Sequence, residues 1–243
     1  MKKKIIFIFA IIIFCSLAFV IRFDYSKPKF YDKTFVDTSH ENSNVLIRYP
    51  QINAENQDAI NNLIRIFAEN IASNVYGSDY VNLNLVVEKY NVTYYDENLL
   101  SIVFEANGNV ITAAYPNNFL YSINIDIKNE SIISLSDIYS IDDDFSSIIY
   151  NAFNEQFAPK KLKEWGINEE SNSYERYKED LSHVGPFNLE GALTNEKKYY
   201  LQENSVIICV TIPHAIGDYF QIEVKYSELN KFLKRKTSPF IEI

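Results

Sequence analysis

The sequence predicts an α+β fold in which an antiparallel sheet is packed by amphipathic helices. Three observations carry that prediction. The apolar positions Ile60, Leu63, Ile64, Phe67, Ile71 and Val75 recur at helical spacing, with asparagine and glutamine on the other face. Phe119, Tyr121, Ile123, Ile125 and Ile127 alternate with Ser122, Asn124 and Asp126, the two-residue period of a strand with one buried and one polar face. Near the end, Phe220, Ile222, Val224 and Tyr226 alternate with Gln221, Glu223 and Lys225.

The chain opens on Lys2, Lys3 and Lys4, followed by Ile5 to Ile21, an uncharged run whose only polar residue is Ser16. This is a targeting segment, and its positive flank places everything after it outside the cytoplasm. As a helix the run spans roughly 25 Å, the short end of what crosses a ~30 Å hydrocarbon layer. Two readings stay open. One is an uncleaved single-pass anchor through residues 5–21, which Phe19, Val20 and Ile21 favour by prolonging the apolar run. The other is a signal peptide cut after Ala18, which yields a secreted protein.

The organisation read from the chain is a targeting segment over 1–21, a polar lead-in over 22–44 and a folded domain over 45–237, with sub-parts 45–110 and 117–237. The lead-in carries Pro28 and no regular periodicity, and it reads as a stalk. Val45 to Tyr49 is a first strand ended by Pro50, and the first helix runs on to Gly77. Leu83 to Tyr95 and Leu99 to Glu105 are strands joined by a short polar hairpin connection, and Phe119 to Lys128 is a third. Asp142, Asp143 and Asp144 precede a second amphipathic helix carrying Phe145, Ile149, Phe153 and Phe157, where acidic residues cap the N-terminus. Lys160 to Ser182 reads as a charged helix. Lys198 to Gln202, Ser205 to Pro213 and Tyr219 to Tyr226 form a closing meander whose middle strand is apolar throughout, and a short helix from Ser227 follows.

Charge bounds the partners. Of 23 basic residues, the three leading lysines are set aside with the targeting segment; the remaining 20 stand against 32 acidic ones, a formal −12. That balance excludes nucleic acid as a natural partner and would speed encounter with a cationic protein. Cys209 is the only cysteine beyond the targeting segment, so no intramolecular disulfide is expected, and its apolar neighbours predict burial.

Catalytic signatures are missing. His40, His183 and His214 lie in no nucleophile motif, no HExxH or CxxC spacing offers a metal site, and no glycine-rich phosphate loop occurs. The sequence therefore predicts no catalytic residues, no metal and no cofactor. The aspartates at 142–144 lack the glycine and distal glutamate of a calcium loop.

Three stretches, in order, resemble the extracytoplasmic domain of the RsiV-like family, found in lysozyme-sensing anti-sigma factors and ahead of some peptidoglycan deacetylase domains. The first is Ile47-Arg48-Tyr49-Pro50-Gln51-Ile52 with the asparagine-rich helix behind it. The second runs from Leu99 through Tyr121-Ser122-Ile123-Asn124-Ile125-Asp126-Ile127 to Ile133-Ser134-Leu135-Ser136-Asp137-Ile138-Tyr139. The third joins Tyr199-Tyr200-Leu201, Val206 to Pro213, Gly217 and Val224-Lys225-Tyr226-Ser227-Glu228-Leu229. The resemblance implies a smaller N-terminal piece and a larger C-terminal piece, and a non-catalytic binding role whose partner is lysozyme or another cationic muramidase.

The chain departs from the family at Ala113 to Pro116, where a histidine is common, and at His214, where tyrosine is favoured. With four residues ahead of the apolar run and no deacetylase domain behind, neither signalling nor deacetylation is expected. The candidate binding residues are Tyr115, Pro116, Asn117 and Asn118 in one loop and His214, Asp218 and Tyr219 in another, since both leave regular strand with aromatic and polar side chains. The alternative is a wall-associated enzyme or accessory domain that acts on or recognises peptidoglycan, marked by a converging cluster of carboxylates or a metal site in a cleft.

Overall fold

The computed structural model describes residues 29–186 and 188–234. The targeting segment, the start of the lead-in and the cleavage site after Ala18 lie outside the described residues. Two sheets form the framework. The larger has six strands in sequence order: β1 (Lys29–Asp37), β2 (Asn44–Asn53), β3 (Leu83–Tyr95), β4 (Leu99–Val110), β5 (Asn117–Asp126) and β6 (Ser131–Ile132). The smaller is β7 (Tyr199–Leu201), β8 (Ser205–Thr211) and β9 (Tyr219–Lys225), with apolar β8 in the centre as its sequence predicts. The α+β class holds, and every pairing is antiparallel except β2 with β3. That pair is parallel because α1 (Asp58–Glu69) and α2 (Ile71–Tyr76) form the crossover a parallel connection requires.

Four layers result. Helices α1 and α2 cover one face of the large sheet through Ile60, Ile64 and Phe67, which meet Ile47, Leu85, Ile102, Phe104 and Ile123. The opposite face of β4 and β5 meets the small sheet, where Val103 and Leu120 pack on Tyr200, Ile207 and Cys209. Alternate residues of the small sheet, Val206, Ile208, Val210, Phe220, Ile222 and Val224, point the other way into the largest core. That core is closed by α3 (Leu135–Ile138), α4 (Asp143–Glu164), α5 (Tyr174–Ser182), α6 (Leu189–Thr194) and α7 (Tyr226–Leu229). Phe145, Ile149, Phe153 and Phe157, four residues apart, form the inward stripe of α4. Asp142 caps this helix by accepting from the Phe145 N–H at 2.8 Å, as the acidic run predicts.

Several expectations are corrected. Residues 29–37, expected in an unstructured stalk, form an edge strand paired along its whole length with β2; its mostly exposed side chains give no alternation to read. Pro50 does not end β2, which continues to Asn53. Beyond Ile47 that strand is paired on one side only, where a missing N–H is tolerated. The first helix breaks at Asn70, whose side-chain amide donates to the Ile66 carbonyl at 2.8 Å and competes with the helical ladder. The charged helix expected from Lys160 to Ser182 is divided at Gly166, which adopts a left-handed φ of 72°. The polar face of β5 is also not solvated: Ser122 and Asn124 are fully buried beneath β7.

That burial is satisfied bond by bond. The Tyr199 carbonyl accepts from the Ser122 hydroxyl and from Asn124 Nδ2, the latter at 2.8 Å, and the Leu201 N–H donates to Ser101 Oγ at 2.9 Å. Ser101 Oγ in turn donates to Asn124 Oδ1 at 2.7 Å. Replacing Asn124 with Leu leaves the Tyr199 carbonyl and Ser101 short of partners at the seam between the sheets. It should lower the unfolding free energy by about 2–4 kcal/mol, read by urea denaturation.

Gly108 marks a second constraint. A Cβ there would fall inside contact distance of the Tyr76 hydroxyl and lie 3.2 Å from Phe119 Cε2. The Tyr76 hydroxyl is itself buried with no hydrogen-bond partner among the described residues. Gly108→Ala should therefore cost about 1–3 kcal/mol by overpacking. Tyr76→Phe, which removes the unpaired hydroxyl, should be close to neutral and should recover part of that loss in the double variant, a coupling read from a denaturation cycle.

Candidate functional site

The chain brings the two predicted loops together at one corner, where β5 and β9 begin. Asp218 is the hub. Its Oδ2 accepts from the Asn118 backbone N–H at 2.9 Å and from Asn118 Nδ2 at 3.2 Å, while Oδ1 lies 2.6 Å from His214 Nδ1. Asn118 Oδ1 accepts in turn from Asn107 Nδ2 at 3.0 Å on the neighbouring strand. A polar chain thus runs from β4 through β5 to the turn before β9.

The backbone of that turn is specialised. His214–Ile216 is a single 3-10 turn, Gly217 has a φ of 122° and Asp218 a φ of 68°. A left-handed aspartate costs of order 1 kcal/mol unless its surroundings fix it, and here the bonds to Asn118 and His214 do so. The Asp218 side chain is 11% exposed. Burial works to raise its pKa, but the Asn118 N–H and the His214 imidazole outweigh that and hold the carboxyl below the ordinary value.

Tyr115 lies outside this network and is 68% exposed; its ring meets that of His214 with centroids 5.9 Å apart. Pro116 and Asn117 lead from it into β5 without contributing a polar contact to the corner. Tyr219 is half-buried between two clefts, one on each side. The first, about 420 Å³, is lined by Val86, Glu88, Lys89, Glu105, Asn107, Asn118 and Phe119. The second, about 450 Å³, lies between β9 and α4 and is lined by Asn118, Lys160, Lys161, Glu164, Gly217 and Gln221. Burial first, then the nearby Glu105 carboxylate, raises the Tyr219 pKa, so the phenol stays protonated and able to donate.

Sequence reasoning missed the cleft walls. The first opens at an irregularity of β3, where the register with β4 shifts between Val86 and Lys89. The adjacent charges Glu88 and Lys89, breaking the alternation of that strand, were the available signal. The wall from α4 carried a signal too, a lysine on the core stripe of the helix.

The remaining candidates have structural roles. His40 stacks on Tyr80 at 4.0 Å and reaches Asp37 and the Ser78 carbonyl, and Asp37 also accepts from Ser39 and Tyr80. This cluster pins the β1–β2 turn to the loop before β3. Cys209 is buried between the sheets, and burial pushes its thiol up to about 12, the property of an inert cysteine. His183 directly follows the last turn of α5. No group of three or more metal-ligating side chains occurs among the described residues, and no described helix is long and apolar enough to cross a membrane.

The chain matches no family model and no curated protein. Among solved structures it is similar to a DUF3298 family member from Bacteroides fragilis, with a TM-score of 0.49 and 14% identity over 86% of this chain and 94% of that one. It is also similar to a DUF3298 family protein from Pseudomonas aeruginosa, with a TM-score of 0.44 and 11% identity over the same shares of the two chains.

Proposed function

We propose that the chain is a non-catalytic binding module, held at the cell surface by residues 5–21 or secreted, that recognises a cationic protein of the lysozyme type. One observation carries this reading: two loops a hundred residues apart are bonded together through Asp218, and beside that joint the exposed Tyr115 ring meets the His214 ring to form one aromatic corner. Exposed tyrosine, with few rotatable bonds for its size, supplies contact area at low entropic cost. The formal −12 beyond the targeting segment would draw in a basic partner.

A second reading, an accessory domain that recognises peptidoglycan, is favoured by the clefts flanking Tyr219. Asn107, Asn118, Gln221 and Tyr219 line them with side chains suited to hydroxyl and amide groups.

Calorimetric titration of the full chain, in neutral detergent, with a c-type lysozyme at low and at physiological salt separates specific recognition from bulk attraction. The expected result is a one-to-one complex that survives physiological salt and weakens about tenfold in Tyr115→Ala. Binding that disappears with added salt would reduce the effect to net charge and sink the first reading.

Asp218 makes the corner pH-dependent. Its folded pKa lies below the ordinary 3.8, so the stability it contributes is present at neutral pH and is lost as pH falls through the folded value. Asp218→Asn should lower stability at pH 7 by about 1–2 kcal/mol. Urea denaturation at successively lower pH should find its deficit against the parent shrinking as pH falls from the ordinary 3.8 through the folded value, because over that range the parent loses the same contribution.

A further inference from the structure

Lys161 is the residue whose place in the fold ordinary packing does not explain. The inward stripe of α4 steps by four from Phe145 through Ile149, Phe153 and Phe157, and the next step is Lys161. Its side chain is only 8% exposed, at a position where leucine or methionine would satisfy the core. With its stem buried, the ammonium is carried to the edge of the core, where its three N–H donors call for partners. Here Glu164, a side chain 58% exposed, takes one of three N–H donors at 2.8 Å. No other partner holds the ammonium among the described residues.

The ammonium faces the second cleft and the space beside it is kept open. Gly217 lines the cleft beside it, and a Cβ there would come to 3.1 Å from Lys161 Nζ on a backbone that side-chain-bearing residues rarely adopt. Other donors line the same walls. Lys160 Nζ is anchored by Gln156 Oε1 at 3.0 Å, and Gln221 takes the Tyr200 hydroxyl on Oε1 at 2.5 Å, which leaves its NH₂ to donate. The Tyr219 hydroxyl adds a further donor. A wall of two ammonium groups, an amide and a phenol, opposed by one surface carboxylate already bonded to Lys161, suits an anion with several acceptor oxygens.

We propose that the cleft between β9 and α4 is a carboxylate-binding subsite, in which the acid group of a small peptide or acid sugar displaces Glu164 from Lys161. In the free protein Glu164 stands in for the ligand. Because it sits on the rim of the same helix, it can swing into solvent without disturbing the fold. This inference is independent of the protein-recognition reading, since it uses neither Tyr115 nor His214.

Trp165, the one tryptophan of the chain, adjoins Glu164 and reports on the site. Its fluorescence in the full chain, in neutral detergent, would be titrated with N-acetyl-alanyl-alanine against its C-terminal amide, and with N-acetylmuramic acid against N-acetylglucosamine. Binding of at least one acid but not of its uncharged counterpart is expected, and the acid that binds identifies the source. Lys161→Met should lose roughly ten- to a hundredfold in affinity while unfolding at the same temperature or higher, and Glu164→Gln should bind several-fold tighter. The proposal is overturned if neither acid binds, if acid and uncharged forms bind alike, or if Glu164→Gln fails to tighten binding. It is also overturned if Lys161→Met retains its affinity or is less stable than the parent.

Discussion

Strand β7 is three residues long, and the small sheet can lie where it does only because side chains of the large sheet take the place of a neighbouring strand along it. Its outer edge presents the Tyr199 carbonyl and the Leu201 N–H, and both are met by Ser122, Asn124 and Ser101, residues with no exposed surface. Ser101 Oγ uses its whole capacity there: it donates to Asn124 and accepts from Thr93 Oγ1 at 3.2 Å and from the Leu201 N–H. A network filled to that degree rigidifies and specifies a single docking of one sheet on the other, whereas an apolar seam would tolerate sliding. Tyr199 adds a further tie through its hydroxyl, which donates to the Ile133 carbonyl at 2.7 Å.

The other edge of the small sheet is handled in the same manner by a helix. Gln156 of α4 donates from Nε2 to the Glu223 carbonyl at 2.6 Å and accepts the Glu223 N–H on Oε1 at 3.0 Å, so one amide imitates the two bonds of a missing strand. An open strand edge is a template for unwanted pairing, and a side-chain amide closes it without extending the sheet. With both edges tied, β8 and β9 are fixed over β4 and β5. The turn between them is thereby delivered to the start of β5, where Asp218 finds Asn118. The corner is thus a consequence of the seam.

How far the sequence speaks for this arrangement differs by element. The alternation of Phe119 to Ile127 is read correctly as a strand, and the breaks at Tyr95–Leu99 and Gln202–Ser205 fall where polar connections interrupt apolar runs. The same alternation misleads about Ser122 and Asn124, since period two distinguishes the faces of a strand but cannot reveal a second sheet whose edge needs hydrogen bonds. Strand β1 is silent for the converse reason. It lies on an exposed edge and is held by ladder bonds and by Asp32, which accepts from Arg48 and Tyr90, so no core pattern marks it. The loops at 115–118 and 214–219 could be singled out because Pro, Gly, Asn and Asp punctuate them, but their meeting is a tertiary fact that no local signal encodes.

The clefts follow from the unequal sizes of the sheets. Three strands cannot cover six, and the small sheet lies across β4 and β5, so the neighbouring part of β3 and the far side of β9 are left as open ground on either side of Tyr219. Charged residues collect there because the strand and helix faces turned toward those gaps reach water instead of core. That accounts for Glu88, Lys89, Glu105 and Lys160 as ordinary solvated walls. It does not account for Lys161, which lies on the core side of its helix and is buried like its apolar predecessors on the stripe. A charge that local and tertiary rules both disfavour, pointed into an opening bounded by a glycine, is where packing logic yields to another requirement, and such departures concentrate at sites that bind.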